Sequence, residues 1–298
     1  MKNKIAIKEI LKKSRHPYER KLVVVSCVLS IAIYIFAGYA LLVASNSEVV
    51  LNKLSALTGI RGRAYELIIR IGGPVVLLFL IFTLIRLALI NYTYIGESSS
   101  SSPRLSQTKY KEVIDIYNKL IEKLEIKKAP EVYVSTNIKD SNYMGITMCS
   151  NDAINLDAKL VKDAYRNKDF SMVEYELVRK LAYIYLGYFN MFSIVLTLPV
   201  RSLPYVKGLF GKVICYSVDK FASNVLGKEK VSTIIYEDNY DTDCFDEKAD
   251  INQIINELIE DTKESEKKGR LLYNIEQEEP LPVYRLMALV KDKPGKIF

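Results

Sequence analysis

Two long apolar runs dominate the first third of the chain. Residues 22–44 carry no charged side chain, and residues 71–90 carry one, Arg86. At a rise of 1.5 Å per residue, each run is long enough to cross the roughly 30 Å hydrocarbon core of a bilayer. The pattern therefore predicts an N-terminal transmembrane helical hairpin, with Arg86 reaching the headgroups from near the end of its helix.

A basic arm before the first run sets the expected orientation of this hairpin. Residues 1–21 contain eight Lys and Arg against two Glu, which is typical of a cytoplasmic flank. Two crossings return the chain to the same side. Residues 1–97 are thus predicted to form a basic arm and a two-helix membrane anchor. The protein is predicted to be a multi-pass integral membrane protein with a cytoplasmic C-terminal domain.

A serine-rich segment, residues 98–108, separates the apolar runs from a region of different pattern and is expected to be a flexible tether. Residues 109–126 place apolar side chains three and four positions apart, as an amphipathic helix does. Short β-prone segments bounded by Asn, Asp and Gly follow at residues 132–134, 143–149 and 153–156. The rest of the pattern is mostly helical. The sequence therefore predicts an α+β membrane protein whose domain 109–298 is mainly helical with a small β-sheet.

One segment of this domain leaves two interpretations open. Residues 181–200 contain no charged side chain, and by length they could cross a membrane. Asn190, Ser193 and Pro199 interrupt the run, so a helix buried in the domain or dipping into the bilayer is an equally open interpretation.

Charge is unevenly distributed around the net value of +7. Residues 237–279 contain fifteen Asp and Glu against five Lys and Arg, which is typical of a solvated acidic surface. Calcium binding is the less favoured alternative, because Cys244 stands where a calcium loop needs Gly. The residues with the spacing of calcium ligands are Asn239, Asp241, Asp243, Glu247 and Asp250. The basic surplus beside the apolar runs favours a lipid bilayer as partner, and no module predicts a nucleic-acid partner.

Cysteine and histidine usage excludes several kinds of site. The four cysteines, Cys27, Cys149, Cys215 and Cys244, form no C-x-x-C pair, so neither a zinc ribbon nor a disulfide framework is indicated. The single histidine, His16, lies in the basic arm. A histidine-based metal site and a Ser-His or Cys-His catalytic pair are therefore not expected.

The order of the elements resembles the HtpX-like and CAAX-prenyl-type membrane zinc metallopeptidases. Residues 130–134 are similar to the family's P-x-V-Y-V strand, and Asn142, Tyr143 and the following residues to its edge strand. Residues 215–219 resemble its E-x-x-A-D segment, and residues 279–286 its C-terminal H-P-P-x-x-x-R-I. The resemblance implies a zincin-like domain.

The same resemblance implies that the catalytic residues are missing. Residues 181–188 take the place of the family's L-A-H-E-L-G-H helix. Ile184 and Tyr188 then stand for the two histidines, Tyr185 for the general-base glutamate and Cys215 for the third ligand. No metal, cofactor or catalytic residue is expected from this set.

The implied function is that of a catalytically inactive, membrane-anchored metallopeptidase-like protein that binds a peptide or protein partner. Asn142 and Tyr143 are the candidate peptide-cleft residues. Asp219 and Arg285 are candidate supporting residues, and either Arg179 or Arg285 is an available partner for Asp219. The alternatives are an active membrane peptidase with a non-standard site, and a membrane structural or assembly subunit unrelated to peptidases.

Overall fold

A computed structural model describes most of the C-terminal half of the chain and parts of the N-terminal half. The described residues are 7–46, 102–136, 153–187, 203–240, 251–265 and 279–297, with Thr197, Val200, Asn274 and Gln277. Side chains are described in these ranges except at residues 37–46, 204, 251–252 and 263–265.

The chain begins with two helices joined by a short turn. Helix α1 covers Ile7–Ser14 and helix α2 covers Glu19–Asn46. Arg15 fixes the turn between them, because its guanidinium pairs with Glu19 and donates to the carbonyl of Leu186, 2.9 Å away. The start of α2 is therefore attached to a helix far along the sequence.

The predicted transmembrane hairpin is wrong. Helix α2 covers the first predicted span, 22–44, but the first half of that helix packs against the rest of the domain and buries the polar residues Ser26 and Ser30. None of the helices within the described residues combines the length and the apolar character that crossing a membrane requires. The predicted membrane fold class and the predicted multi-pass membrane location are therefore wrong as well. The second predicted span, 71–90, lies outside the described residues.

A two-stranded sheet follows the first helix of the domain. A 3-10 turn, Leu105–Gln107, precedes helix α3, Lys111–Lys123. Strand β1, Glu131–Ser135, pairs in parallel with β2, Ala153–Asp157, with Tyr133 opposite Asn155. Side chains alternate across a strand, so Val132, Val134, Ile154 and Leu156 share the face that packs into the core.

Helix α5, Ser171–Leu186, is the centre of the fold. Helix α4, Ala158–Asn167, starts at Asp157, whose carboxylate accepts from the Lys159 N–H. Helix α5 packs against α3, α4 and β2. It ends at Gly187, whose φ of 74° is the left-handed conformation that glycine adopts most readily.

The remaining helices pack around α5 and each other. They are α6, Pro204–Leu226; α7, Lys228–Asn239; α8, Ile251–Ser265; and α9, Pro282–Val290. Helix α6 contacts α5, α1 and α7, and α9 contacts α6, α7 and α8. The described part of the chain is thus mostly helical with a small parallel sheet.

The stretch 181–200 is divided by the end of α5. Residues 181–186 form the last turns of α5 and are mostly buried in the domain core. This supports the buried-helix interpretation for that part of the stretch. Thr197 and Val200 are helical and buried, and the residues between Gly187 and Thr197 lie outside the described residues.

Candidate functional site

Helices α5, α6 and α9 meet at a group of polar residues inside the core. We call this group the arginine cluster, and its members are Tyr175, Glu176, Arg179, Cys215, Asp219 and Arg285. Tyr175 and Arg179 are one helical turn apart on α5, as are Cys215 and Asp219 on α6, so each pair shares one face of its helix. Arg285 comes from the first turns of α9.

The ion pair between Arg285 and Asp219 is the most buried part of the cluster. Nε of Arg285 donates to Oδ2 of Asp219 at 2.7 Å, and Nη2 donates to Oδ1 at 2.8 Å. The Arg285 and Asp219 side chains are 8% and 1% exposed. Tyr175 completes the arrangement, because its hydroxyl accepts from Nη2 of Arg285 at 2.9 Å and donates to Oδ1 of Asp219 at 3.2 Å.

Electrostatics keep this carboxylate ionised. Burial alone would raise the pKa of Asp219, but the guanidinium groups of Arg285 and Arg179 and the Tyr175 hydroxyl lower that pKa below its usual value. Burial and the Asp219 carboxylate hold the pKa of the Tyr175 hydroxyl well above its usual value. The cluster therefore contains an anionic Asp219 and a neutral Tyr175.

A second carboxylate of the cluster is also paired with an arginine. Nη1 of Arg179 donates to Oε1 of Glu176 at 2.9 Å, and its guanidinium carbon lies 5.4 Å from the centre of the Tyr175 ring. Burial alone would raise the pKa of Glu176, but Arg179 and Lys180 lower it overall. Glu176 is thus held as a carboxylate by a neighbouring cation, as Asp219 is.

The arrangement does not fit a zinc ion. Zinc binds thiolate, neutral imidazole or carboxylate ligands. The cluster contains no imidazole, and burial raises the pKa of its one thiol, Cys215, to about 12. The two carboxylates are each bound by a guanidinium group, and a cation placed between them would face two positive charges. Among the described side chains, no three from His, Cys, Asp and Glu are grouped so as to hold a metal ion.

The residues predicted from the sequence are only partly brought together. Cys215, Asp219 and Arg285 adjoin, with the Cys215 sulfur 3.8 Å from Oδ2 of Asp219. Ile184 is buried on α5, nine residues after Tyr175, which at 3.6 residues per turn is the opposite face of the helix. Tyr185 donates from its hydroxyl to the carbonyl of Lys128 at 3.0 Å. Tyr188, Asn142 and Tyr143 lie outside the described residues.

Two cluster residues, Tyr175 and Glu176, were not expected from the sequence. Their signal was a charged pair three residues apart in an otherwise apolar helix, Glu176 with Arg179. Charged side chains at positions that are mostly buried need partners. This requirement could have identified the site.

The structure also contains a cleft of about 840 Å³ that no cluster residue lines, and we call it the basic cleft. Its walls are the turn between α1 and α2, the end of α5 and the first half of α6. Its apolar lining includes Leu186, Phe210, Val213 and Ile214, and its charged lining is Lys8, Lys12, Arg15, Arg20 and Glu19. The volume is in the range typical of ligand pockets.

Compared with known proteins, the chain matches no family profile, no curated protein and no solved structure.

Proposed function

We propose that this protein is a catalytically inactive, metallopeptidase-like protein that acts by binding a peptide. The observation that supports the proposal is the arginine cluster, in which two arginines pair with two carboxylates where α5, α6 and α9 meet. The basic cleft is the proposed peptide site.

The spacing of the cluster supports the link to metallopeptidases. Tyr175, Glu176 and Arg179 have the spacing of H-E-x-x-H, in which two histidines one turn apart bind zinc and the glutamate is the general base. Cys215 and Asp219 have the spacing of the Glu and Asp in E-x-x-A-D. This register lies nine residues before the one centred on Ile184, and its residues contact one another.

The chemistry of the cluster supports the absence of peptidase activity. A zinc peptidase needs an open metal position and a glutamate that takes a proton from the bound water. Here the Glu176 carboxylate is engaged by Arg179, 2.9 Å away, and that cation lowers its basicity. Two carboxylates and two guanidinium groups balance in charge, so the helices stay together without a metal.

The lining of the basic cleft specifies the kind of peptide. Lys8 and Lys12 lie one turn apart on the exposed side of α1, and apolar Val213 and Ile214 come from α6. Complementary charge speeds encounter and selects partners, while apolar contact supplies most of the affinity. An acidic peptide with apolar side chains matches both parts of the lining.

Two assays on the purified full-length chain test this proposal. In the first, unfolded protein substrates are incubated with the chain, with and without added zinc or chelator, and no cleavage is expected. In the second, fluorescent peptides of equal length are compared, and the acidic–apolar peptide should bind more tightly than its basic–apolar counterpart. Chelator-sensitive cleavage would show an active peptidase with a non-standard site.

A pair of variants locates the peptide. Lys8→Glu with Lys12→Glu reverses two charges of the cleft and should weaken binding of the acidic–apolar peptide by at least about tenfold. Lys111→Glu with Lys119→Glu makes the same change on α3, away from the cleft, and should leave binding unchanged. Equal losses in both pairs would assign the effect to net charge and reject the cleft.

A further inference from the structure

A second, smaller cavity lies on the other side of the turn between α1 and α2. It has a volume of about 190 Å³ and is enclosed by three segments that are far apart in sequence. These are residues 13–17, residues 216–220 of α6, and residues 285–295 of α9 and the tail after it. We call it the terminal cavity, because segments from near both chain ends form it.

Arg285 is a mostly buried residue that gives this cavity a hydrogen-bond donor. The residue is 7% exposed and lines the cavity. Its Nε and Nη2 groups are used by Asp219 and Tyr175, whereas Nη1 makes no hydrogen bond to any residue that the structure describes. A guanidinium group has five N–H donors, and those on Nη1 remain for a ligand.

Cations outnumber carboxylates around the cavity. Its lining contains five cations, Lys13, Arg15, Lys220, Arg285 and Lys293, against two carboxylates, Asp219 and Asp292, an excess of three. Both carboxylates are already paired, Asp219 with Arg285 and Asp292 with Lys220. Glu9 and Glu19, which pair with Lys13 and Arg15, do not line the cavity. Lys293 pairs with no carboxylate among the described residues.

Two aromatic residues and a glycine hold the cavity wall in place. His16 is 5% exposed, stacks on Tyr216 at 5.8 Å between ring centres with 25° between the ring planes, and has Nε2 3.1 Å from the carbonyl of Gly295. Nδ1 of His16 accepts from the N–H of Tyr18 at 3.3 Å. A Cβ at Gly295 would lie 2.2 Å from the Tyr216 ring, so only glycine lets the tail approach this closely.

We propose that the terminal cavity binds a phosphoryl group, either as the free ion or as part of a small ester. The lining cations come from three segments, and several cations around one space suit a group with two negative charges. A carboxylate needs only one guanidinium group, which can bind both of its oxygens. The volume admits a phosphoryl group with a few further atoms. A bound phosphoryl group would link the N-terminal arm to the C-terminal tail.

The single histidine of the chain provides a probe. His16 lines both the terminal cavity and the basic cleft, so an anion bound at either changes the nitrogen and proton shifts of its ring, and the lysine variants described below assign the effect to one of them. Inorganic phosphate, glycerol phosphate and sodium chloride are titrated into the ¹⁵N-labelled full-length chain at constant ionic strength. Both phosphates should shift the His16 signals saturably, and chloride should not. Tighter binding of the ester indicates a phosphorylated small molecule as ligand, and tighter binding of the free ion indicates phosphate itself.

Matched variants on the tail separate a site from general charge attraction. Lys293→Gln removes a cation from the lining and should weaken phosphate binding by at least about tenfold, the size expected for one charge-assisted contact. Lys296→Gln makes the same change on the same tail at a side chain that does not line the cavity, and should leave binding within about twofold. Lys13→Gln tests the opposite wall and should also weaken binding.

Two results would overturn the proposal. One is the lack of a saturable His16 response to either phosphate up to about 10 mM, where even a site with millimolar Kd is mostly filled. The other is an equal loss in the Lys293→Gln and Lys296→Gln variants. Neither result bears on the basic cleft, because the peptide assay uses a different ligand and different lysines.

Discussion

The arginine cluster and the terminal cavity are neighbours that share Asp219 and Arg285, but their charges have different surroundings. In the cluster, two guanidinium groups face two carboxylates inside the core, and the charges balance. Around the cavity, the cations exceed the carboxylates and most of them lie near the surface. The difference separates charges that hold the fold together from charges that are available to a ligand.

Burial makes the same residue types act differently in the two regions. An ion pair in the interior is screened little, and removing one partner leaves an isolated charge that costs several kcal/mol. An exposed lysine remains hydrated whether or not it has a partner. Substitutions in the cluster should therefore change stability, and substitutions around the cavity should change binding.

The largest effect is expected from Asp219→Ala. The variant leaves the guanidinium of Arg285 buried without its carboxylate, which should lower the free energy of unfolding by about 3–5 kcal/mol. Urea denaturation followed by circular dichroism measures the change. The double variant Asp219→Leu with Arg285→Leu should be less destabilised than Asp219→Leu alone, because no unpaired charge remains. If Asp219→Ala lowered the free energy of unfolding by less than about 1 kcal/mol, the buried ion pair would be no stronger than an exposed one, and the difference between the two regions would be contradicted.

Acid should weaken the cluster through the same ion pair. The folded pKa of Asp219 lies below its unfolded value of about 3.9, so the stabilisation is complete above the unfolded pKa and is lost as pH falls through the folded pKa. The difference in urea midpoint between the wild type and Asp219→Asn should thus be constant from pH 7 to about 5 and shrink below about 4. A difference that stays constant to pH 3 would contradict the ionised pair.

Tyr175→Phe should have an intermediate effect. It removes one hydroxyl that accepts from Arg285 and donates to Asp219 while leaving the ion pair in place. The expected loss is about 1–3 kcal/mol in urea denaturation, the cost of leaving buried polar groups unsatisfied. Tyr165→Phe is a suitable control, because the Tyr165 hydroxyl contacts Glu112 at the surface. An equal effect at both positions would show that burial is not the cause.

The smallest effect is expected at an exposed ion pair. Arg104 and Glu131 are 3.2 Å apart and about half exposed. Glu131→Gln keeps the shape of the side chain and removes its charge, so the free energy of unfolding should change by less than about 1 kcal/mol. A change as large as that of Asp219→Ala would mean that burial does not set the energy of these pairs.

Local pattern predicted some of these elements well. The helix expected over residues 109–126 is Lys111–Lys123, and the strand expected at residues 132–134 is Glu131–Ser135. Backbone geometry places apolar residues three or four positions apart in a helix and two positions apart in a strand. Both patterns can therefore be read from the sequence. The membrane hairpin was wrong because it rested on the length of an apolar run alone.

The site could be predicted only in part, for two physical reasons. Asp219 and Arg285 are 66 residues apart and meet only because α6 packs on α9, which no local spacing reveals. On α5, residues 181–188 were matched to the family's zinc-binding helix because their apolar pattern is similar. Tyr175, Glu176 and Arg179 were therefore not matched to its ligand positions. Those three have the polar spacing that a site needs. A mostly buried charged pair in that helix was the more informative signal.

Metal content together with thermal unfolding tests the central claim most directly, namely that arginine pairing replaces a metal at the centre of the fold. The full-length chain is purified without chelator, its zinc is measured by mass spectrometry, and Tm is compared before and after chelation. We expect no stoichiometric zinc and the same Tm in both conditions. Stoichiometric zinc, with a Tm that falls on chelation and recovers on adding zinc back, would contradict it.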